Sequence, residues 1–530
     1  MSMLSIESKE RERLAIQARL DSEKSQTERN RLGQFATPTA LARDILAYAK
    51  KVVGKKAPIR FLDPALGTGS FYSAFLNVFG EDRALNGTGF EIDSLYGNAA
   101  CSLWKESGLD VRHEDFTKAQ LPTDENEKAT LVICNPPYVR HHHIATEEKQ
   151  RLNGILSTRH GVSLSGLSGL YCYFLCLSKD WMANGALAAW LIPSEFMDVN
   201  YGRAVKDFLL NNVSLLHIHR FLPSDVQFGD ALVSSAVVFF KNQRPSEGQK
   251  VKFSLGGSLS RPTTEMEYSL EELRQERKWT CLPGIGNRNG NGNGKYQPII
   301  GDFFDVKRGI ATGANGFFVL SPSKVQSHDI PFDFLIPILP SPRYLKADVI
   351  ESDKHGIPLI DRAGYLFSSN MPEDRIKREY PAVWDYLEDG RSQGIADRYI
   401  CRNRSPWYAQ ERRETAPILC TYMGRSNGNG DSRPFRFILN RSRAIAANVY
   451  LMLYPKAWMK KELLENPEIT TKVWQILQSI PVESLIGEGR VYGGGLHKME
   501  PKELLNAPAE DLASLFPDRM KSGGKQMSLF

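Results

Sequence analysis

No stretch of this 530-residue chain is apolar for long enough to cross a bilayer, and no leader-like segment is legible at its start. A soluble, cytoplasmic protein is therefore expected. Cysteine is scarce and unpatterned. The seven residues (Cys101, Cys134, Cys172, Cys176, Cys281, Cys401 and Cys420) are odd in number and form no CxxC pair, so neither a disulfide framework nor a zinc site is suggested. Cys172 and Cys176 fall in the apolar, helix-like run 170–177, where buried packing is expected. A strong charge bias is also missing: a net charge of +6 permits nucleic-acid binding without demanding it. No acidic nuclease constellation is legible. The length exceeds one ordinary core and predicts two or three domains.

What the chain does have is Asn135-Pro136-Pro137-Tyr138, directly after the apolar run 130–134, which reads as a buried parallel strand. A rigid Pro-Pro turn at a strand's carboxyl end can hold an amide, two carbonyls and an aromatic ring around one small planar group. A flat base with an exocyclic amine suits such a setting. The Asn135 amide oxygen and the Pro136 carbonyl can accept both amine hydrogens, and Tyr138 can stack on the ring.

About seventy residues upstream, the strand Arg60-Phe61-Leu62 runs into Asp63-Pro64, then the turn Gly67-Thr68-Gly69, then a predicted helix from Ser70. Glycines there allow close backbone approach to a ligand. A second predicted strand ends at Glu91-Ile92-Asp93 and a third at Asp115-Phe116. An acid about twenty residues beyond a Gly-x-Gly turn commonly binds ribose hydroxyls. In an open α/β sheet, all four strand ends point into one crevice.

Together with Gly33-Gln34-Phe35-Ala36-Thr37-Pro38, this motif set resembles the gamma-class N6-adenine DNA methyltransferases of bacterial type II restriction–modification systems. The resemblance covers most of residues 30–245 and, more loosely, 295–510, where 307–315 and 493–502 look like recurring elements of target-recognition domains. It implies a Rossmann-like α/β sheet that uses S-adenosylmethionine, followed by a C-terminal α+β recognition domain that binds double-stranded DNA. It also implies cofactor contacts: Glu91 to the ribose with Ile92 beside it, Asp115 to the adenine amine, Phe116 against the ring. Thr37 and the loop from Asp63 through Pro64 and Gly67 to Gly69 would border the methionine part. The reaction would be direct displacement by adenine N6 on a flipped base, with no metal required. Phe228 matches the second stacking aromatic by position, with Phe221 nearby as the alternative. The adjacent His141, His142 and His143 invite a metal reading, but neighbouring side chains diverge, and a loop lining the pocket mouth is preferred.

Four regions are expected: a solvated charged helix over 1–32, a catalytic domain over 33–245, a polar linker or insertion over 246–295 and a recognition domain over 296–530. The Gly/Asn-rich run 284–294 reads as flexible, and 426–430 as an exposed loop. From Cys401 to Lys460, eleven Lys/Arg stand against three Asp/Glu, interleaved with aromatics. Arg402, Arg404, Arg433, Arg436, Arg441 and Arg443, with Lys498, are candidates for DNA contact. A solvated basic surface over an ordinary core is the plainer reading. Competing activities are methylation of RNA or of a protein glutamine. A monomer with a separate cognate endonuclease is the expected assembly.

Overall fold

Residues 3–54, 58–80, 83–222, 234–283, 298–425, 433–492 and 495–517 are described by the structure, a computed structural model. Within them the chain divides into two compact units, the first running to residue 292 and the second taking most of the remainder.

The first unit is built on a nine-stranded sheet. Its strands are β1 (Ile59–Asp63), β2 (Ala84–Phe90), β3 (Leu109–Arg112), β4 (Ala129–Cys134), β5 (Met182–Pro193), β6 (Ser214–Arg220), β7 (Ser235–Lys241), β8 (Lys250–Ser258) and β9 (Arg261–Ser269). They lie in the order β3-β2-β1-β4-β5-β7-β6-β8-β9. Strands β1 to β5 pair in parallel, and β7 is antiparallel to both β5 and β6. The expected Rossmann-like methyltransferase sheet is present. Successive side chains serve opposite faces: Leu62, Val132, Ala188 and Val238 enter one core, Phe61, Leu131, Ala189 and Phe239 the other. Both faces are thus covered, which is why these strands read as unbroken apolar runs. Strand order reverses between β1 and β4, the place where open α/β sheets take ligands at the carboxyl ends of their strands.

Among the described residues nine helices accompany the sheet: α1 (Met3–Ser22), α2 (Gln26–Leu32), α3 (Thr39–Val53), α4 (Ser70–Phe79), α5 (Ser94–Trp104), α6 (Thr146–His160), α7 (Leu170–Leu177), α8 (Arg203–Asn211) and α9 (Leu270–Gln275). Cys172 and Cys176 on α7 are buried, as expected.

Two sequence expectations fail here. Residues 246–283 are not a linker, because β8 pairs with β6, β9 closes the sheet edge, and Val251, Phe253, Leu273 and Trp279 enter the same core as β4 and β5. The Gly/Asn-rich run 284–294 lies outside the described residues, as does 426–430. Helix α1 is not simply solvated either. Ile6, Glu10, Arg13 and Leu20 recur on one helical stripe, and all are buried.

The second unit is α+β, as expected. Its largest sheet orders Phe304–Arg308, Tyr450–Pro455, Ile418–Thr421, Phe437–Asn440 and Val349–Ile350, with separate apolar cores on its two faces.

Candidate active site

The turn after β4 is held by the segment 33–38. Tyr138 N–H donates to the Gly33 carbonyl at 3.1 Å. Gly33 has φ +67°, and a Cβ there would stand 2.3 Å from the Tyr138 nitrogen, so only glycine fits. Asn135 Nδ2 donates to the Phe35 carbonyl at 2.8 Å and to Thr37 Oγ1 at 3.1 Å. A carbonyl can only accept, so this bond fixes which end of the amide is nitrogen. Asn135 Oδ1 is left buried without a partner. An unpaired buried acceptor costs about 1–3 kcal/mol, so this oxygen has the capacity to accept from a ligand or a water.

Tyr138 donates its hydroxyl to the Leu191 carbonyl at 3.0 Å, which ties the ring to β5. Its ring centroid lies 5.6 Å from Phe35 and 6.5 Å from Tyr171. Tyr171 lies in the run read as buried helix packing and is itself buried. Phe228 lies outside the described residues. Phe221 is buried edge-on against His219, a core position rather than a stacking face.

Glycine-loop geometry follows from β1 and β2. Gly67 and Gly69 take φ of +57° and +89°, and a Cβ on Gly69 would strike the Trp104 ring nitrogen. Glu91 accepts Gly67 N–H at 2.9 Å and Asp93 N–H at 2.8 Å, one on each carboxylate oxygen, with lone pairs left over. Burial pushes its pKa up, and those two backbone donors oppose the shift. Asp63 is fully buried, accepts Ala65 N–H at 3.1 Å, and is pushed by burial to about 7. Asp63 and the neighbouring buried Pro64 shape the loop from beneath. Ile92, 73% exposed, is apolar surface next to Glu91. Asp115 Oδ1 accepts both Thr117 N–H and its hydroxyl, while Oδ2 lies 3.5 Å from Lys118 Nζ. Phe116 is a core residue packed among Phe90, Phe174 and Trp181 and is almost wholly buried.

His141, His142 and His143 form a short turn, the first two rings edge-to-face at 5.3 Å and the last two tilted at 4.1 Å. In the second unit the basic stretch departs from expectation. Trp407, Tyr408, Tyr422, Phe435, Phe437 and Tyr450 are buried, so its aromatics are core. Arg404 donates to the Ala311 and Thr312 carbonyls, and Arg436 to Asp348 and three carbonyls nearby; both are braces rather than free cations. Arg433 donates to the Gln478 carbonyl. Arg402 is exposed over Tyr399. Lys498 pairs with Glu500 beside Tyr422. Arg441 and Arg443 lie just past a strand that ends at Asn440. Both still project outward on either side of buried Ser442, and Arg441 pairs with Glu351 at 2.7 Å.

Comparison with known proteins matches residues 81–228 to the family described as Eco57I restriction-modification methylase, and residues 293–521 to the C-terminal domain of type II methyltransferase M.Eco57I. Type II methyltransferase M.AccI of Acinetobacter calcoaceticus is 27% identical over 505 residues, covering 92% of this chain and 87% of its own. M.XamI of Xanthomonas campestris pv. amaranthicola is 26% identical over 486 residues, covering 89% and 84%. Among solved structures, the type IIL restriction-modification enzyme MmeI in complex with DNA has a TM-score of 0.47 at 13% identity, covering 79% of this chain and 59% of its own. The resemblance read from the motifs holds at the level of the type II restriction–modification methyltransferases, to which both halves of the chain are similar.

Proposed function

We propose that this relative of the type II restriction–modification methyltransferases methylates adenine N6 in duplex DNA, with S-adenosylmethionine as donor. The observation that carries the reading is the lone Asn135 oxygen, a buried acceptor aimed by its own amide nitrogen's bonds to Phe35 and Thr37. When bound, S-adenosylmethionine supplies a methyl group already activated on a sulfonium. Glu91 fits as its ribose acceptor, because both carboxylate oxygens are held in place with capacity to spare. Ile92 provides an apolar contact, Asp115 a carboxylate, and the segment from Asp63 to Gly69 a closely approachable backbone.

The chain's own work is positional. An aromatic amine is a poor nucleophile because its lone pair delocalises into the ring. Two acceptors, Asn135 Oδ1 and the Pro136 carbonyl, pull on its hydrogens and favour a tetrahedral nitrogen whose lone pair points at the methyl group. Pro137 stiffens the turn. Tyr138, tethered through its hydroxyl, presents a ring of set orientation for stacking, and Phe228 is the proposed second face. A base inside a duplex cannot reach a crevice at strand ends, so the target is flipped out. The first unit carries the chemistry, and the second reads the DNA with Arg402, Arg433, Arg441, Arg443 and Lys498 among its contacts. The enzyme acts as a monomer alongside a separate endonuclease.

Asn135→Ala is the test. Turnover on duplex DNA is expected to fall by about a hundredfold or more, the usual cost of losing a preorganised polar contact, with S-adenosylmethionine affinity retained. Near-normal methylation by the variant would remove Asn135 from the chemistry and the proposal with it.

A further inference from the structure

The charged N-terminal helix reaches into the cofactor loops. On α1, Arg13 grips Glu10 with two nitrogens, each at 2.7 Å, and donates a third bond to Thr68 Oγ1 at 3.1 Å. Thr68 in turn donates to Gln17 Oε1 at 2.7 Å, one helical turn along. Its carbonyl accepts Trp104 Nε1 at 2.9 Å, so Thr68 is held from two sides. Thr68 is the residue between Gly67, whose N–H is bound by Glu91, and Gly69, which caps α4. The same helix reaches the second strand end. Gln17 Nε2 donates to Asp21 Oδ1 at 2.9 Å, and that oxygen also accepts the Tyr96 hydroxyl at 2.7 Å. Just beyond α1, Lys24 pairs with Asp93, whose N–H is one of the two donors on Glu91. A hydrogen-bonded string thus runs from the glycine loop to α5 along a single helix.

The Arg13–Glu10 pair also binds the Thr39 hydroxyl at the start of α3, so it fastens that helix as well as the loop. Arg13 and Glu10 are 1% and 5% exposed. Taking two charges out of water is costly, and apolar side chains of similar size often replace such a pair with no loss of stability. What an apolar pair cannot do is hold Thr68 by directional bonds.

We propose that Arg13 and Gln17 are positioning residues for the methyl donor, acting through Thr68 to set the glycine loop. This rests on the reading that the donor is S-adenosylmethionine. The test uses the full-length protein with two variants, Glu10→Leu/Arg13→Leu and Gln17→Ala, read by calorimetric titration with S-adenosylmethionine, steady-state kinetics and denaturation of the ligand-free protein. The double variant is expected to unfold at or above the wild-type midpoint, yet to bind the donor about tenfold or more weakly. Its KM for the donor should rise more than its kcat falls. Gln17→Ala should weaken binding several-fold with an unchanged midpoint, and it decides the matter if the double variant does not fold. Wild-type affinity in the folded variants would overturn the inference and leave the function standing. Failure of the wild type itself to bind S-adenosylmethionine would overturn both.

Discussion

At Asn135 the two ends of one amide have different tasks: the nitrogen is bound by Phe35 and Thr37, and the oxygen is left for a donor. The same division recurs at Glu91, where backbone bonds hold the carboxylate and spare lone pairs remain. Glu91→Ala should therefore weaken S-adenosylmethionine binding by about 1.5–3 kcal/mol, the range for hydrogen bonds to a charged group, as measured by calorimetry. Unchanged affinity would make Glu91 a structural acid only. Asp63 gives a pH signature. Its pKa is raised on folding from 3.8 to about 7, so the native state prefers the protonated form. Its contribution to stability is fully present below about pH 4 and is lost as pH rises through about 7. Asp63→Asn cannot ionise, so its stability relative to wild type should improve across that window and level off above it. Denaturant titrations between pH 4.5 and 8 check this, and a pH-independent difference would contradict it.

Among the elements, the central strands were legible because both of their faces are covered, which leaves unbroken apolar runs such as 130–134. Their ends carried the motifs, so Asp63, Glu91 and Asn135 were readable in order. Strands β8 and β9 were not. β9, Arg261-Pro262-Thr263-Thr264-Glu265-Met266-Glu267, is an exposed edge and needs no apolar face. Helix α1 hid for another reason: two members of its buried stripe are Glu10 and Arg13, charges that count as solvated until their partners are known. The interleaved aromatics of 401–460 misled in the opposite sense, since composition does not distinguish an aromatic that faces DNA from one such as Tyr450 in a core. Because β8 covers β6, a fragment ending at residue 245 should aggregate, stripped of Val251, Phe253 and Trp279, whereas one ending at 283 should stay soluble. Sedimentation of the two fragments decides it, and equal solubility would mean β8 is dispensable.

For the whole molecule, if chemistry belongs to one unit and recognition to the other, variants in each should behave differently. Replacing Arg441 and Arg443 together with Ala should weaken duplex binding and flatten its salt dependence by about one unit of slope per lost phosphate contact. S-adenosylmethionine affinity should not change. Binding isotherms at several salt concentrations give the answer, and an unaltered slope would put the DNA face elsewhere. Excess EDTA should leave methyl transfer intact, because the sulfonium already activates the methyl group; loss of activity restored by one transition metal would return attention to His141, His142 and His143. The most direct measurement is the identity of the product. Duplex DNA incubated with the purified protein and isotopically labelled S-adenosylmethionine, then digested to nucleosides and analysed by mass spectrometry, should carry the label on N6 of adenine. Label on cytosine, or on RNA or protein in preference to DNA, would contradict the account.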